Sequence, residues 1–204
     1  MQVVFGKSKR NAENENLPQD TRLAFAASEG DMKAFESLVV KYERFVSTCV
    51  FSVLGNYEDA LDVSQEVFLK VYKNISKFKG DSEFSTWLYR IAKNCAYDFV
   101  RKKKVAQISL DTAGDEGDGF DVPDVDVSSN PEKKILQNEK SLVLRSCIEK
   151  LSKEHREVIV LRDINNYTYD QISEMLGIEQ GTVKSRISRA REALRKILEK
   201  ENYF

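Results

Sequence analysis

From Asp20 onward, apolar residues recur at helical steps of three and four and almost never in the alternation of a strand. A first segment runs from about Thr21 to Glu29 and stops at Gly30. A second, from about Met32 to Leu54, puts Phe35, Leu38, Val39, Tyr42, Phe45 and Val46 on one face and ends at Gly55-Asn56. A third, from about Glu58 to Ser76, carries Ala60, Val63, Val67 and Val71 on one stripe and Asp59, Asp62 and Glu66 on another. Phe78-Lys79-Gly80-Asp81-Ser82 breaks the period and predicts a loop. A fourth helix follows from about Glu83 to Lys104, with Phe84, Leu88, Ile91, Cys95 and Phe99 inward.

The second half repeats the habit. Asn130-Pro131 predicts an N-cap with proline at the first helical position, and a helix to about Leu151. Another spans about Lys153 to Asp163, before a turn at Asn165-Asn166. Thr168 and Gln171 have capping-box spacing, opening a short helix that Gly177 ends. The last helix, from about Gln180 to Lys200, puts Val183, Ile187, Ala190, Leu194 and Ile197 on one stripe. The expected fold class is all-α: two small helical domains joined by a flexible linker, the second a helix-turn-helix. The expected boundaries are a loose N-terminal arm over 1–20, domains over 21–104 and 132–204, and a linker over 105–131.

Composition narrows the chemistry. Among 204 residues, 9 glycines and 3 prolines do not suit a turn-rich β fold. Cys49, Cys95 and Cys147 are too scattered for a disulfide framework or a zinc site, and predict small buried side chains. His155 is the one histidine, with no nucleophile beside it. No glycine-rich phosphate loop follows a strand-like run. No enzyme, metal or cofactor is therefore expected. No apolar run approaches the roughly 18 residues of a membrane span, and no signal-peptide core is visible, so a cytoplasmic protein without membrane insertion is expected.

The formal charge of −1 hides a pattern. Residues 1–104 carry +3 and residues 132–204 carry +3, while 105–131 carry −7 from Asp111, Asp115, Glu116, Asp118, Asp121, Asp124 and Asp126. That strip has no helical period and fits a solvated tether or an extended interaction segment. From Lys70 to Lys104 ten basic residues face three acidic ones, just downstream of the acidic stripe. Basic beside acidic surface on one small domain suggests two partners.

Two helices carry side chains suited to nucleic acid. In the last helix, the positions outside the core stripe are Thr182, Lys184, Ser185, Arg186, Ser188, Arg189 and Arg191. Cations and short hydroxyls on the first turns suit entry into a major groove, where arginine can grip guanine and the others phosphate. In the fourth helix, Trp87, Arg90, Asn94, Tyr97 and Arg101 follow one another at steps of three and four and run into Lys102. Aromatics that stack on unpaired bases, cations for phosphates and an amide for a base edge make a single-strand surface.

Four motifs in order resemble a bacterial sigma factor of the extracytoplasmic-function group, in the sigma-70 family, over about residues 21–200. Residues 59–72 (DALDVSQEVFLKVY) resemble the helix that grips the polymerase clamp. Residues 78–98 (FKGDSEFSTWLYRIAKNCAYD) resemble the promoter-melting loop and helix. Residues 151–162 (LSKEHREVIVLR) and 181–194 (GTVKSRISRAREAL) resemble the domain that reads the upstream promoter element. The resemblance implies a factor that binds core RNA polymerase, directs it to promoters and helps melt DNA, itself without catalysis.

It also implies roles for particular residues. Asp59, Asp62, Gln65, Glu66 and Phe68 would meet core polymerase. Phe78, Lys79, Ser82, Trp87, Arg90, Asn94, Tyr97, Arg101 and Lys102 would hold the non-template single strand. Arg162, Thr182, Lys184, Ser185, Arg186, Ser188, Arg189 and Arg191 would contact duplex promoter DNA. The acidic strip would thread toward the polymerase cleft. Many members of the family are restrained by an anti-sigma factor, and such a partner is compatible with the resemblance. Two alternatives compete: a helix-turn-helix regulator binding duplex DNA as a dimer, and a helical adaptor. The first leaves the loop and helix over 78–101 unexplained, and the second has no use for the basic N-terminal half of the last helix.

Overall fold

The structure is a computed structural model that describes residues 17–110 and 141–201, and among these no strand occurs. Two helical units pack side by side.

The N-terminal unit contains α1 (Gln19–Ser28), α2 (Met32–Leu54), α3 (Tyr57–Asn74) and α4 (Phe84–Leu110). Asp31 caps α2 by accepting from the Lys33 and Ala34 amides, and Asn56 caps α3 by accepting from Asp59. Gly55 ends α2 in the left-handed conformation, at φ 72°. One 3₁₀ turn, Ile75–Lys77, then leads into the loop before α4. The centre of the core is aliphatic: Leu38, Val46 and Val50 of α2 meet Val63, Val67 and Val71 of α3 and Leu88, Ala92 and Ala96 of α4, each at most 2% exposed, with buried aromatics such as Phe45, Phe84 and Tyr89 around them. Burying one such Leu or Val removes enough apolar surface to stabilise the fold by about 1.5–3 kcal/mol. The Tyr42 hydroxyl, beneath α1, donates to Asp20 at 2.7 Å.

The C-terminal unit contains α5, described over residues 141–149, then α6 (Lys153–Ile159), α7 (Tyr169–Leu176) and α8 (Gln180–Lys200). Ser152 caps α6. The expected capping box is present: Gln171 N donates to Thr168 Oγ1 at 3.2 Å, and Thr168 N to Gln171 Oε1 at 3.0 Å. Gly177 closes α7 at φ 67°. Ile172 and Met175 of α7 pack on Val183, Ile187 and Ala190 of α8.

Two elements depart from the sequence expectation. The helix expected over Lys153 to Asp163 stops at Ile159 and widens into a π turn, Val160–Ile164, closed by Asn165 N donating to Val160 O. Asn166 then takes a positive φ of 60°. The fourth helix continues past Lys104 to Leu110, since no glycine or proline interrupts Val-Ala-Gln-Ile-Ser-Leu. Most of the acidic strip, the Asn130-Pro131 cap and the N-terminal arm up to residue 16 lie outside the described residues. Cys49, Cys95 and Cys147 are all buried and free.

Candidate nucleic-acid interface

On α8 the inward stripe of Val183, Ile187 and Ala190 turns the other positions outward. Lys184, Ser185, Ser188, Arg189 and Arg191 are exposed, and Thr182 and Arg186 half-buried. Arg162, on the π turn, reaches the same end of the unit. Its Nη1 donates to Tyr167 O at 2.8 Å, and its guanidinium lies 4.8 Å from the centre of the Tyr169 ring. Lys184 approaches that ring at 5.8 Å. Tyr169 thus holds two of the expected DNA contacts on its faces. Sequence reading passed it over; the signal was an aromatic at the first position of the capped helix. Arg191 differs from its neighbours. Its Nε and Nη2 both bond Asp163, tying α8 to the π turn, and this pairing holds its pKa above the ordinary arginine value.

On α4 the expected stripe faces outward as a line. Arg90, Asn94, Tyr97, Arg101 and Lys102 are exposed, and Trp87 is half-buried. Arg101 donates to Asp98 at 2.8 Å, and Lys70 reaches the same carboxylate at 3.4 Å. Lys79 is exposed on the preceding loop, and the Ser82 hydroxyl donates at 3.4 Å to Glu83 O. Phe78, at 5% exposure, lies in the core. Its ring packs on Phe25, Phe84 and Trp87 at centroid distances of 5.8, 5.6 and 5.5 Å. Phe78 therefore anchors the loop from beneath and props the inner side of Trp87. Gly80 follows at φ 79°, where a Cβ would come within 3.1 Å of Phe25.

The five residues expected to meet polymerase divide into two lines along α3. Asp59 and Glu66 line a shallow recess with Phe99, Lys102 and Lys103 of α4, and Asp59 accepts from Lys103 at 2.8 Å. Gln65 and Phe68 lie on the other side, in a groove of about 960 Å³ between α2 and α3. Asp62 is exposed. The groove is lined by Phe35 and Val39 and by residues unusually open for their type: Met32, Val40, Leu61, Leu69 and Tyr72, the last five 43–72% exposed. Contiguous apolar surface of this kind marks an interaction site. Its sequence signal was that α3 has apolar residues on a second stripe, Leu61, Phe68, Leu69 and Tyr72, besides its core stripe.

Comparison with known proteins adds a second line of observation. Residues 38–105 match the family described as Sigma-70 region 2, and residues 141–194 match Sigma-70, region 4. The chain is 41% identical over 170 residues to the ECF RNA polymerase sigma factor SigW of Bacillus subtilis, across 83% of this chain and 91% of the relative. It is 37% identical over 176 residues to the ECF RNA polymerase sigma-E factor of Escherichia coli K12, across 86% and 92%. Among solved structures, CnrH in complex with the cytosolic domain of CnrY superposes with a TM-score of 0.63 at 25% identity, covering 91% of this chain and all of that one. The sigma factor RpoE of Bartonella quintana, in complex with the anti-sigma factor NepR, has the same fold, with a TM-score of 0.61 at 23% identity over 82% and 98%.

Proposed function

This chain belongs to the extracytoplasmic-function group of sigma-70 factors, and from that premise we propose a division of labour among its surfaces. As a sigma factor it binds core RNA polymerase, directs it to specific promoters and helps melt DNA for initiation. The domain unit 21–104 docks on polymerase and melts DNA, 105–131 links, and 132–204 reads the upstream promoter element.

The apolar groove between α2 and α3, with Gln65 and Phe68 inside it and Asp62 beside it, is the docking face for core polymerase. An apolar trough supplies buried area, and flanking charge sets orientation. Asp59 acts indirectly, by holding Lys103 of α4, and Glu66 lines the same recess. The α4 stripe takes the non-template strand. Trp87 and Tyr97 offer stacking faces, Asn94 a base-edge amide, and Arg90, Arg101, Lys102 and Lys79 phosphate contacts. A base drawn out of the duplex costs a few kcal/mol of stacking, which these contacts must offset. On α8, Arg186 and Arg189 read base edges, while Thr182, Lys184, Ser185 and Ser188 position the helix on phosphates, with Arg162 joining from the π turn.

One observation supports this reading: a single chain exposes two basic helix faces of different character, one interleaved with aromatics on α4 and one of cations and hydroxyls on α8. A duplex-binding regulator has no use for the first. Nucleotide transfer belongs to the polymerase, so the chain needs no catalytic group or cofactor. Among the described residues no helix is long and apolar enough to cross a membrane, and we assign the chain to the cytoplasm, with its polymerase. One protein of the same fold, the sigma factor RpoE of Bartonella quintana, is seen in complex with the anti-sigma factor NepR, and we propose an anti-sigma partner for this chain too.

Gel filtration with core polymerase tests the reading. The chain should co-elute with polymerase and then retain promoter DNA. A helix-turn-helix regulator would elute apart from polymerase, as a dimer.

A further inference from the structure

Arg162 and Asp163 are adjacent on the π turn, yet each braces a different helix. Asp163 accepts from Nε and Nη2 of Arg191 on α8. The Arg162 guanidinium instead lies 4.8 Å from the centre of the ring of Tyr169, the first residue of α7. The backbone fixes Arg162 as well. Its Nη1 donates to Tyr167 O at 2.8 Å, and Tyr167 N donates in turn to Leu161 O at 3.0 Å. Both backbone groups of Tyr167 are thus bound, and Arg162 is held between a fixed carbonyl and a ring. Lys184 of α8 approaches the same ring at 5.8 Å. Among the described residues no carboxylate forms an ion pair with Arg162 or Lys184, whereas Asp163 fills the fork of Arg191.

We propose that Tyr169 is a positioning residue for duplex recognition: its ring holds Arg162 and Lys184 together as one clamp for the DNA phosphate backbone. The proposal rests on reading Arg162 and α8 as the duplex-contacting surface, and adds to it a residue that acts through its neighbours.

Two like charges gathered without a counterion repel each other. The electron-rich ring offsets part of that cost, and an anion shared by the two cations offsets the rest. A long cation moving freely in water gives up rotamer freedom when it grips a phosphate, and one already seated on a ring gives up less. Arg162 is half-buried, so Tyr167 O and the ring set its orientation before DNA arrives. Only its Nη1 is engaged among the described residues, which leaves the N–H groups of Nε and Nη2 for an outside acceptor. The shelf itself is fixed by local sequence. The Thr168–Gln171 capping box makes Tyr169 the first helical residue, and the Asp163–Arg191 pair sets α8, with Lys184, against the same π turn. A phosphate carries no base identity, so such a clamp sets register and strength rather than sequence preference.

Promoter binding by the full chain assembled on core polymerase tests this. The probe is a duplex spanning a start site mapped by transcription in vitro. Tyr169→Leu should weaken binding about three- to tenfold, the cost of ordering a side chain that the ring no longer holds. Copies of the duplex with single base changes in the upstream element should lose the same factor, and a loss that depends on the base overturns the phosphate clamp. Tyr169→Phe keeps the ring and should bind within about twofold of the unaltered chain. In an Arg162→Ala chain, Tyr169→Leu should add less than about twofold, because its partner is gone. Equal losses from Tyr169→Leu with and without Arg162 mean a merely structural role and overturn the proposal. A Phe variant as weak as the Leu variant also overturns it, since the hydroxyl then makes its own contact. In the free chain, the Nε–H proton of Arg162 should carry a ring-current shift by NMR that persists in Tyr169→Phe. A resonance at the ordinary arginine position overturns the positioning even if Tyr169→Leu misfolds. If Arg162→Ala binds like the unaltered chain, the duplex reading of Arg162 falls together with the clamp. If Arg162→Ala weakens binding and Tyr169→Leu does not, only the positioning falls.

Discussion

Gly55 and Arg156, 101 positions apart in the chain, meet where the two units touch: the Arg156 guanidinium occupies the place a Cβ on Gly55 would need. Gly55 also ends α2 in the left-handed region, which costs an L-residue roughly 1–2 kcal/mol. Gly177 shares that conformation, but a Cβ there would meet nothing within 4 Å. Gly55→Ala should therefore destabilise the chain more than Gly177→Ala, by about 1 kcal/mol or more for the displaced charge-assisted hydrogen bonds. Urea midpoints of the two variants make the comparison. Equal losses would mean that Arg156 yields freely and the contact holds little.

Asn94 is exposed on the aromatic and cationic line of α4, away from buried Leu88, Ala92 and Cys95. Asn94→Ala should leave stability and polymerase association intact and impair promoter melting. Permanganate reactivity of unpaired thymines reads this directly, and normal reactivity at a native promoter would remove Asn94 from the site.

Arg189 and Arg191 lie two residues apart on α8, yet only Arg191 has its fork filled by Asp163. Arg189→Ala should weaken promoter binding by roughly 1–3 kcal/mol with stability unchanged, the range for a lost bidentate base contact. Arg191→Ala should instead lower the thermal midpoint, with a smaller effect on DNA. Titration of a promoter duplex beside thermal unfolding separates the two; the reverse assignment would move the reading site along the helix.

On α3, Leu69 is 61% exposed at the groove, and Asp62 is exposed on the neighbouring line. Leu69→Lys places a charge in an apolar trough and should abolish co-elution with core polymerase at unchanged helicity. Asp62→Lys should weaken the association in a salt-dependent way, because its contribution is electrostatic and screened. Full co-elution of Leu69→Lys would take the groove out of the polymerase interface.

Burial pushes the Tyr167 hydroxyl, close to where the two units touch, up to about 12. Its proton is thus held more tightly in the folded chain than in the unfolded one, where tyrosine titrates near 10. The resulting stabilisation is complete below pH 10 and is lost as pH rises from about 10 to 12. Tyr42 and Tyr89 are shifted the same way, chiefly by burial. Stability should hold steady up to about pH 10 and then fall, with tyrosinate absorbance rising together with loss of ellipticity. Tyrosinate appearing well before unfolding would contradict the burial of these hydroxyls.

Much of this was readable from local pattern. The Thr168–Gln171 capping box, Gly177 and the stripe of Val183, Ile187 and Ala190 are short-range signals, and each became the element expected. The outward line of Arg90, Asn94 and Arg101 followed from helical period alone. What sequence did not convey depends on partners far along the chain. Phe78 looked like a loop aromatic, but Phe25 and Phe84 enclose it. Asp59 read as part of an acidic stripe open to a partner, yet Lys103, 44 positions on, holds it. Arg156 belongs to a charged, solvated helix start by pattern, and its acceptor on Ser52 lies 104 positions away. The π turn was missed because no composition marks one extra residue in a helical turn.

Transcription in vitro with core polymerase on genomic DNA, with mapping of the 5′ ends, tests the central claim most directly. With the chain present, start sites should gather downstream of a shared sequence, vanish without the chain, and fade when Arg189→Ala replaces it. The same start sites with and without the chain would contradict its assignment as the factor that chooses the promoter.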